Sequence, residues 1–408
     1  METLRLLQRN VYLVYVLRAL FSGIALVVPT IVAFWQSCGL SMFQVFALEA
    51  FFATTVVVAE VPSGYIADQL GRKRAIICGG LSLLAGLALY TTLESFHGFL
   101  CIEFLMGIGL SLFSGADEAL MYDSLAEQNQ ELTFSQHWGR AASFEMAIGA
   151  SFLMIGGLIA AHVSLRAPFY AALVFQSAFV LMALFLYEPH REKEIHERGH
   201  LREMFSLGKK LIFEKQRTRF ILIASAILFG FSQACFWALQ PYLKETGIPL
   251  GYNGFILAGL GLTGGIFASY TARIEKRFSL ETLVFLLLYA TSVSFLGLGI
   301  LASVWALGFT LIHQLTRACH KIVFAHALHK EVESRLRATS VSVRNMLDKL
   351  MYALSLLLFG WLIESVGLFR AFQLLSLVVG VCTVALFALF RKKSARERGV
   401  VAATTGTP

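Results

Sequence analysis

The chain has 408 residues, of which 57% are hydrophobic, 13% aromatic and 15% charged, and its mean hydropathy is +0.69. Soluble domains carry about 45–50% apolar and 25% charged residues, so a soluble globular protein is excluded, as are disordered and collagen-like chains. Six cysteines and seven prolines exclude a disulfide framework and a proline-rich linker protein.

A helix that crosses a bilayer takes about 20 predominantly apolar residues, and runs of that size recur along the chain. Six lie in the first half, over 11–34, 42–67, 75–93, 98–120, 141–161 and 167–187. Six more follow, over 220–242, 252–272, 282–302, 304–324, 339–363 and 368–390. The first run follows Arg5 and Arg9 but is too long for a signal-peptide core and lacks a small-residue cleavage site, so it reads as a span. The expected fold class is an all-α membrane protein of twelve transmembrane helices in two six-helix bundles. The bundles are 1–187 and 220–391, joined by a linker over 188–219, with a disordered tail over 392–408.

Lys and Arg in short loops are retained on the cytoplasmic side. Here the even-numbered loops hold nearly all of them: Arg72, Lys73 and Arg74, then Arg140, the linker, Arg273 to Arg277, and Lys321 to Arg337. Both termini are therefore expected in the cytoplasm, and the net charge of +8 reflects topology rather than nucleic-acid binding. In the linker, Leu201, Met204, Phe205, Gly208, Leu211 and Ile212 keep helical spacing, with Arg202, Lys209 and Lys210 elsewhere on the turn. That pattern predicts a helix lying on the inner membrane surface.

Between the second and third spans the sequence reads Gly64, Tyr65, Ile66, Ala67, Asp68, Gln69, Leu70, Gly71, Arg72, Lys73, Arg74. Physically this is a tight turn. Gly64 allows close helix approach, Gly71 takes a backbone shape other residues resist, Asp68 stands near a helix end, and Arg72 can reach a neighbouring carboxylate. The pattern resembles motif A of the major facilitator superfamily, complete at Gly64, Asp68, Gly71, Arg72 and Lys73. With the six-plus-six spans and central linker, the likeness extends over essentially the whole chain.

The resemblance implies a secondary transporter, not an enzyme, whose two bundles rock about a central site near the midplane. It also implies a cytoplasmic latch, in which the aspartate caps the eleventh helix and the arginine pairs with an acid at the inner end of the fourth. Asp117 and Asp123 are the candidates for that acid. Three departures stand out. The second-half counterpart, 269–277, lacks the glycine and aspartate framework. The fourth span lacks the arginine that drug and proton antiporters carry four residues before Gly107. In the fifth span Gly149, Gly156 and Gly157 match part of the antiporter glycine signature, but Phe152 and Leu153 replace its Gly-Pro pair.

An ionisable side chain at mid-bilayer costs about 2.5–3.5 kcal/mol on insertion scales, so those present are expected to pair or to face a wet cavity. Glu49, Glu103 and Glu145 are the candidates for proton coupling, with Glu145 also able to pair with Arg18 or Arg140. Arg18, Gln233, Trp237, His313, Arg317, Arg344, Asp348 and Lys349 are the substrate-cavity candidates. Arg344 and Asp348, four apart, can neutralise each other. In the fourth span, Glu103, Gly107, Ser111, Ser114, Glu118 and Tyr122 share a face and suggest a translocation wall. In the seventh, Gln233, Trp237 and Gln240 do the same.

The histidines at 313, 320, 326 and 329 lack metal-ligand spacing, and the six cysteines are scattered, so no metal site is expected. No phosphate-binding loop, dinucleotide fingerprint or hydrolase motif is present, and no cofactor is implied. The combined expectation is proton-coupled efflux of a small organic solute by a monomer in a bacterial inner membrane. Its partners are the solute, protons and lipid. The alternative is proton-coupled uptake of a polar metabolite or metal chelate. A receptor without flux and an intramembrane enzyme are the readings from other classes.

Overall fold

The computed structural model describes residues 2–190, 216–333 and 336–404. All regular structure there is helical. The first half contains α1 (Glu2–Phe21), α2 (Ile31–Ser37), α3 (Met42–Leu70), α4 (Arg72–Tyr90), α5 (Phe96–Phe113), α6 (Ala116–Ala126), α7 (Phe134–His162) and α8 (Ala167–Leu184). The second contains α9 (Gln216–Glu245), α10 (Asn253–Arg277), α11 (Leu280–Leu301), α12 (Thr310–Glu331), α13 (Arg337–Val366) and α14 (Leu368–Thr404). Eleven segments among the described residues are long and apolar enough to cross a membrane. The twelfth, α12, has the length but is diluted by His313, Gln314, Arg317, His320, Lys321 and His326.

The chain forms two compact units. One comprises 1–197 and 239–262; the other comprises 198–238 and 263–408. In the first unit, α4 and α5 approach so closely that a methyl at Gly79 would stand 2.8 Å from the carbonyl oxygen of Gly109, a contact that only small residues allow. Val14, Leu17, Ile76, Phe113, Leu120 and Phe179 fill the adjoining core. In the second unit α11 packs along α14 and α13, and a methyl at Gly299 would meet the Phe369 carbonyl at 2.7 Å.

Two predicted spans are broken. The first stops being α-helical at Phe21, passes through a 3-10 turn (Ser22–Leu26), and resumes as α2 beyond Pro29. Proline lacks an N–H and clashes with the preceding turn, so backbone groups at the break need partners from elsewhere. They find them within the same unit. The Gln240 side-chain amide donates to the Val28 carbonyl (2.9 Å) and accepts from the Val32 N–H (3.2 Å), while Asn253 donates to the Pro29 carbonyl (3.1 Å). Gln240 is therefore a brace for the first span, not part of a stripe with Gln233 and Trp237.

The fourth span breaks between α5 and α6, where Gly115 has φ of +91°. This turn interrupts the expected polar stripe. The Ser111 hydroxyl donates to the Gly107 carbonyl of its own helix (2.9 Å) and lies 3.3 Å from the Val56 carbonyl of α3, and a methyl at Gly107 would press on Thr55 at 2.8 Å. The stripe's upper half is thus a helix-packing seam against α3, and Ser114, Glu118 and Tyr122 are turned out of register with it.

The expected interfacial helix over 201–212 lies outside the described residues. The tail differs from expectation, because α14 is helical as far as Thr404 where disorder was expected from 392. The Lys, Arg, Ala and Glu residues over 391–398 are good helix formers.

Candidate functional site

The motif turn joins α3 to α4 through Gly71, whose φ of +108° is a conformation glycine adopts without penalty. A side chain there would also collide with Glu188, whose carboxyl carbon would lie 2.8 Å from an added methyl. Glu188 follows α8 and turns its carboxylate onto the start of α4, accepting from the backbone N–H groups of Arg72 (2.7 Å) and Lys73 (2.8 Å). This is a charged acceptor at a helix N-terminus, where it is favoured by both hydrogen bonding and the helix dipole. The N-cap residue, Gly71, has no side chain with which to cap that end itself.

The Arg72 side chain donates to Asp68 Oδ1 (2.7 Å) and lies 3.7 Å from Asp123 Oδ2. Of the two acids expected as its partner, Asp123 is the one it meets. Asp117 is engaged elsewhere, as described below. Gly64 is exposed, with nothing within 4 Å of an added methyl, so the close approach expected there is not made.

Arg18 is held between two carboxylates, Asp117 at 2.6 Å and Glu145 at 2.5 Å, with its guanidinium 4.2 Å above the Trp138 ring. Asp117 is almost wholly buried because α6 begins just before it, and its carboxylate points into the space between α1 and α7. Glu145 thus has a cation in contact, which it shares with Asp117, and this makes it the weakest of the three proton-coupling candidates.

Glu49 of α3 and Glu103 of α5 are each only 5% exposed, on helices that pack against each other. The Tyr90 hydroxyl, at the end of α4, donates to Glu103. An aromatic wall backs the pair: Tyr90 packs at 4.8 Å on Phe169 and at 5.6 Å on Phe99, and Phe34 lies 4.7 Å from Phe169. Among the described residues no Lys, Arg or His pairs with either carboxylate.

In the second unit α9, α12 and α13 build a polar cluster from Ser225, His320, Arg344 and Asp348, each at most 5% exposed. The Ser225 hydroxyl donates to Asp348 Oδ1 (2.8 Å) and lies 2.8 Å from His320 Nε2. With its one hydrogen used on Asp348, Ser225 accepts from that ring nitrogen. His320 Nε2 is also 3.3 Å from Asp348 Oδ2, and Arg344 Nε is 3.6 Å from the same oxygen. The one-turn pairing of Arg344 with Asp348 is thus present.

The remaining α12 histidines go separate ways. His326 pairs with Glu275, and His313 packs on Phe295 with neither ring nitrogen hydrogen-bonded. Arg317 lies over Phe236. Trp237 donates through its indole N–H to the Tyr352 hydroxyl. Gln233 and Lys349 are half-buried on α9 and α13.

Sequence reasoning missed Tyr90, Ser225, Glu188 and the role of His320. Tyr90 and Ser225 resemble ordinary helix residues in sequence, and Glu188 is separated by 116 positions from the N–H it meets. The available signal was chemical: an uncapped helix start at Gly71 calls for an acceptor, and a buried His beside an acid calls for a second partner.

A family model described as Major Facilitator Superfamily matches residues 11–355. An uncharacterized MFS-type transporter of Bacillus subtilis (strain 168), YxaM, is 24% identical over 352 residues, or 81% of this chain and 83% of its own. The class B tetracycline resistance protein of Escherichia coli is 28% identical over 267 residues, 63% of each chain. Among solved structures, the nucleoside transporter NupG matches with a TM-score of 0.77 at 13% identity, over 94% of this chain and 99% of that one. A POT family transporter in complex with 5-aminolevulinic acid matches with a TM-score of 0.71 at 15% identity, over 95% and 96%. At such identities these structures share the fold alone.

Proposed function

This chain belongs to the major facilitator superfamily, and from that premise we propose that it exports a small organic solute in exchange for protons. It is a multi-pass membrane transporter, not an enzyme. The observation that carries the coupling is the Glu49–Glu103 pair. Burying ionised carboxylates without a cation costs several kcal/mol per ion, so the dry pair holds a proton, and hydration during the transport cycle releases it. Tyr90 holds Glu103 in place through its hydroxyl.

The likeness to a tetracycline resistance protein supports the outward direction. Arg72, Asp68 and Asp123, set by Gly71 and the Glu188 cap, form the latch that opens and recloses as the two bundles rock. Lys73 contributes its backbone N–H to that cap. Glu145 shares Arg18 with Asp117 and is structural in this reading.

The test uses energised inverted vesicles with a pH-sensitive dye reporting their acidic interior. Tetracycline and a panel of cationic, zwitterionic and anionic compounds are added in turn. Proton release in response to at least one of them, absent from vesicles lacking the protein, supports antiport. No release across the panel contradicts it.

A further inference from the structure

Every other guanidinium deep in the described helices has an acid. Arg18 has two and Arg344 has Asp348. Arg317 is the exception. It lies in the middle of α12, partly buried, with its guanidinium carbon 5.6 Å from the centroid of the Phe236 ring. Its electrostatic neighbours are the Tyr352 phenol and the Cys235 thiol, and among the described residues no carboxylate comes within 4.0 Å. One turn earlier on the same face, His313 is 3% exposed and neither of its ring nitrogens has a partner. The unpartnered His313 ring thus stands one turn from the Arg317 guanidinium on the same face.

A cation inside a membrane-spanning helix without a counter-ion is costly, and a guanidinium presents a planar fork matched to two carboxylate oxygens. Around this fork the walls are aromatic: Phe236 beneath it, Trp237 beside Phe236, and Tyr352 held by the Trp237 N–H. Such walls suit a flat or hydrocarbon body attached to the charge.

We propose that Arg317 is the anchor for the carboxylate of an aromatic or amphipathic organic acid, and that this is the solute class the transporter carries. The inference deepens the transport reading above and rests on it. The solute's negative charge supplies the counter-ion that the protein leaves out, so the loaded site is close to neutral while the empty one is not.

The test uses the full chain in nanodiscs of neutral lipid, with phenylacetate, phenylacetamide and phenethylamine as probes of one shape and three charges. Binding is read by Trp fluorescence and by the shift in unfolding midpoint. The acid is expected to bind at least tenfold more tightly than the amide, and the amine least. Arg317→Gln should weaken phenylacetate by about 30-fold, as expected for a lost charge-assisted pair, and leave the amide unchanged. Arg317→Lys should weaken it about tenfold and keep the order.

Absence of any preference for the acid over its amide, or phenylacetate binding within about threefold of wild type in Arg317→Gln, overturns the proposal. Should the Gln variant fail to fold, the Lys variant decides: equal binding of acid and amide there overturns it. Acid binding without proton flux would remove the coupling reading and leave this site standing. Proton flux driven only by cations or neutral compounds would do the reverse.

Discussion

Replacing Glu188 with Ala removes the side-chain acceptor at the start of α4. Two N–H bonds are lost, at 2.7 and 2.8 Å. Hydrogen bonds to a charged group contribute about 1.5–3 kcal/mol each when buried. Glu188 is half-buried, and water can reach the freed N–H groups, so about 1 kcal/mol each is the appropriate scale. The interaction of its charge with the helix dipole adds about 0.5 kcal/mol. The sum, about 2–2.5 kcal/mol, corresponds to a fall of roughly 4–10 °C in the unfolding midpoint of a bundle of this size. Unfolding of the detergent-solubilised variant, followed by Trp fluorescence, measures it. Glu188→Gln keeps one acceptor oxygen and should lose about half as much, whereas Glu245→Ala, at an exposed position, should lose nothing. A midpoint for Glu188→Ala within 1 °C of wild type, on this same scale, would refute the cap.

Gln240→Leu leaves the Val28 carbonyl and the Val32 N–H without their partner at the Pro29 break. At about 1–2 kcal/mol for each orphaned group it should destabilise by roughly 2–4 kcal/mol, and an unchanged unfolding midpoint would contradict the brace. Asp68→Asn removes a half-exposed ion pair worth less than about 1 kcal/mol. It should therefore preserve folding while impairing flux, and normal solute-driven proton release would sink the latch role. At Cys38, outside the spans, burial pushes the thiol up and the nearby Glu94 adds to this, against a smaller opposing pull from Arg166. A raised thiol pKa keeps the unreactive protonated form present to higher pH. Labelling of whole cells by an impermeant maleimide should therefore be slow at neutral pH and still be accelerating at pH about 9, where an ordinary thiol is levelling off; a plateau by pH about 8.5 would contradict it.

The spans were legible because about 20 apolar residues are needed to cross a bilayer and few other structures use such runs. Their interiors were less so. The break at Pro29 depends on amides from Gln240 and Asn253, more than 200 positions away, which make a non-helical turn tolerable at that depth. The break at Gly115 looks in sequence like any glycine in a helix. Local pairs were readable from spacing, as with Arg344 and Asp348, and the motif narrowed the partner of Arg72 to Asp117 or Asp123, between which only packing chooses. The third member of a cluster was not. Arg18 could be matched to Glu145, but only the turn into α6 brings Asp117 to it. Arg317 was visible as an intramembrane cation, and its lack of an acid emerged only from packing.

The central claim is that the Glu49–Glu103 pair carries the coupling proton and Glu145 does not. It is tested most directly by comparing solute-driven proton release from inverted vesicles carrying wild-type protein, Glu49→Gln, Glu103→Gln and Glu145→Gln, at matched protein levels and with the unfolding midpoint of each variant measured. The account predicts loss of proton release in Glu49→Gln or Glu103→Gln with the fold retained, and release persisting in Glu145→Gln. Full release in both the Glu49 and Glu103 variants, or loss only in the folded Glu145 variant, would contradict it.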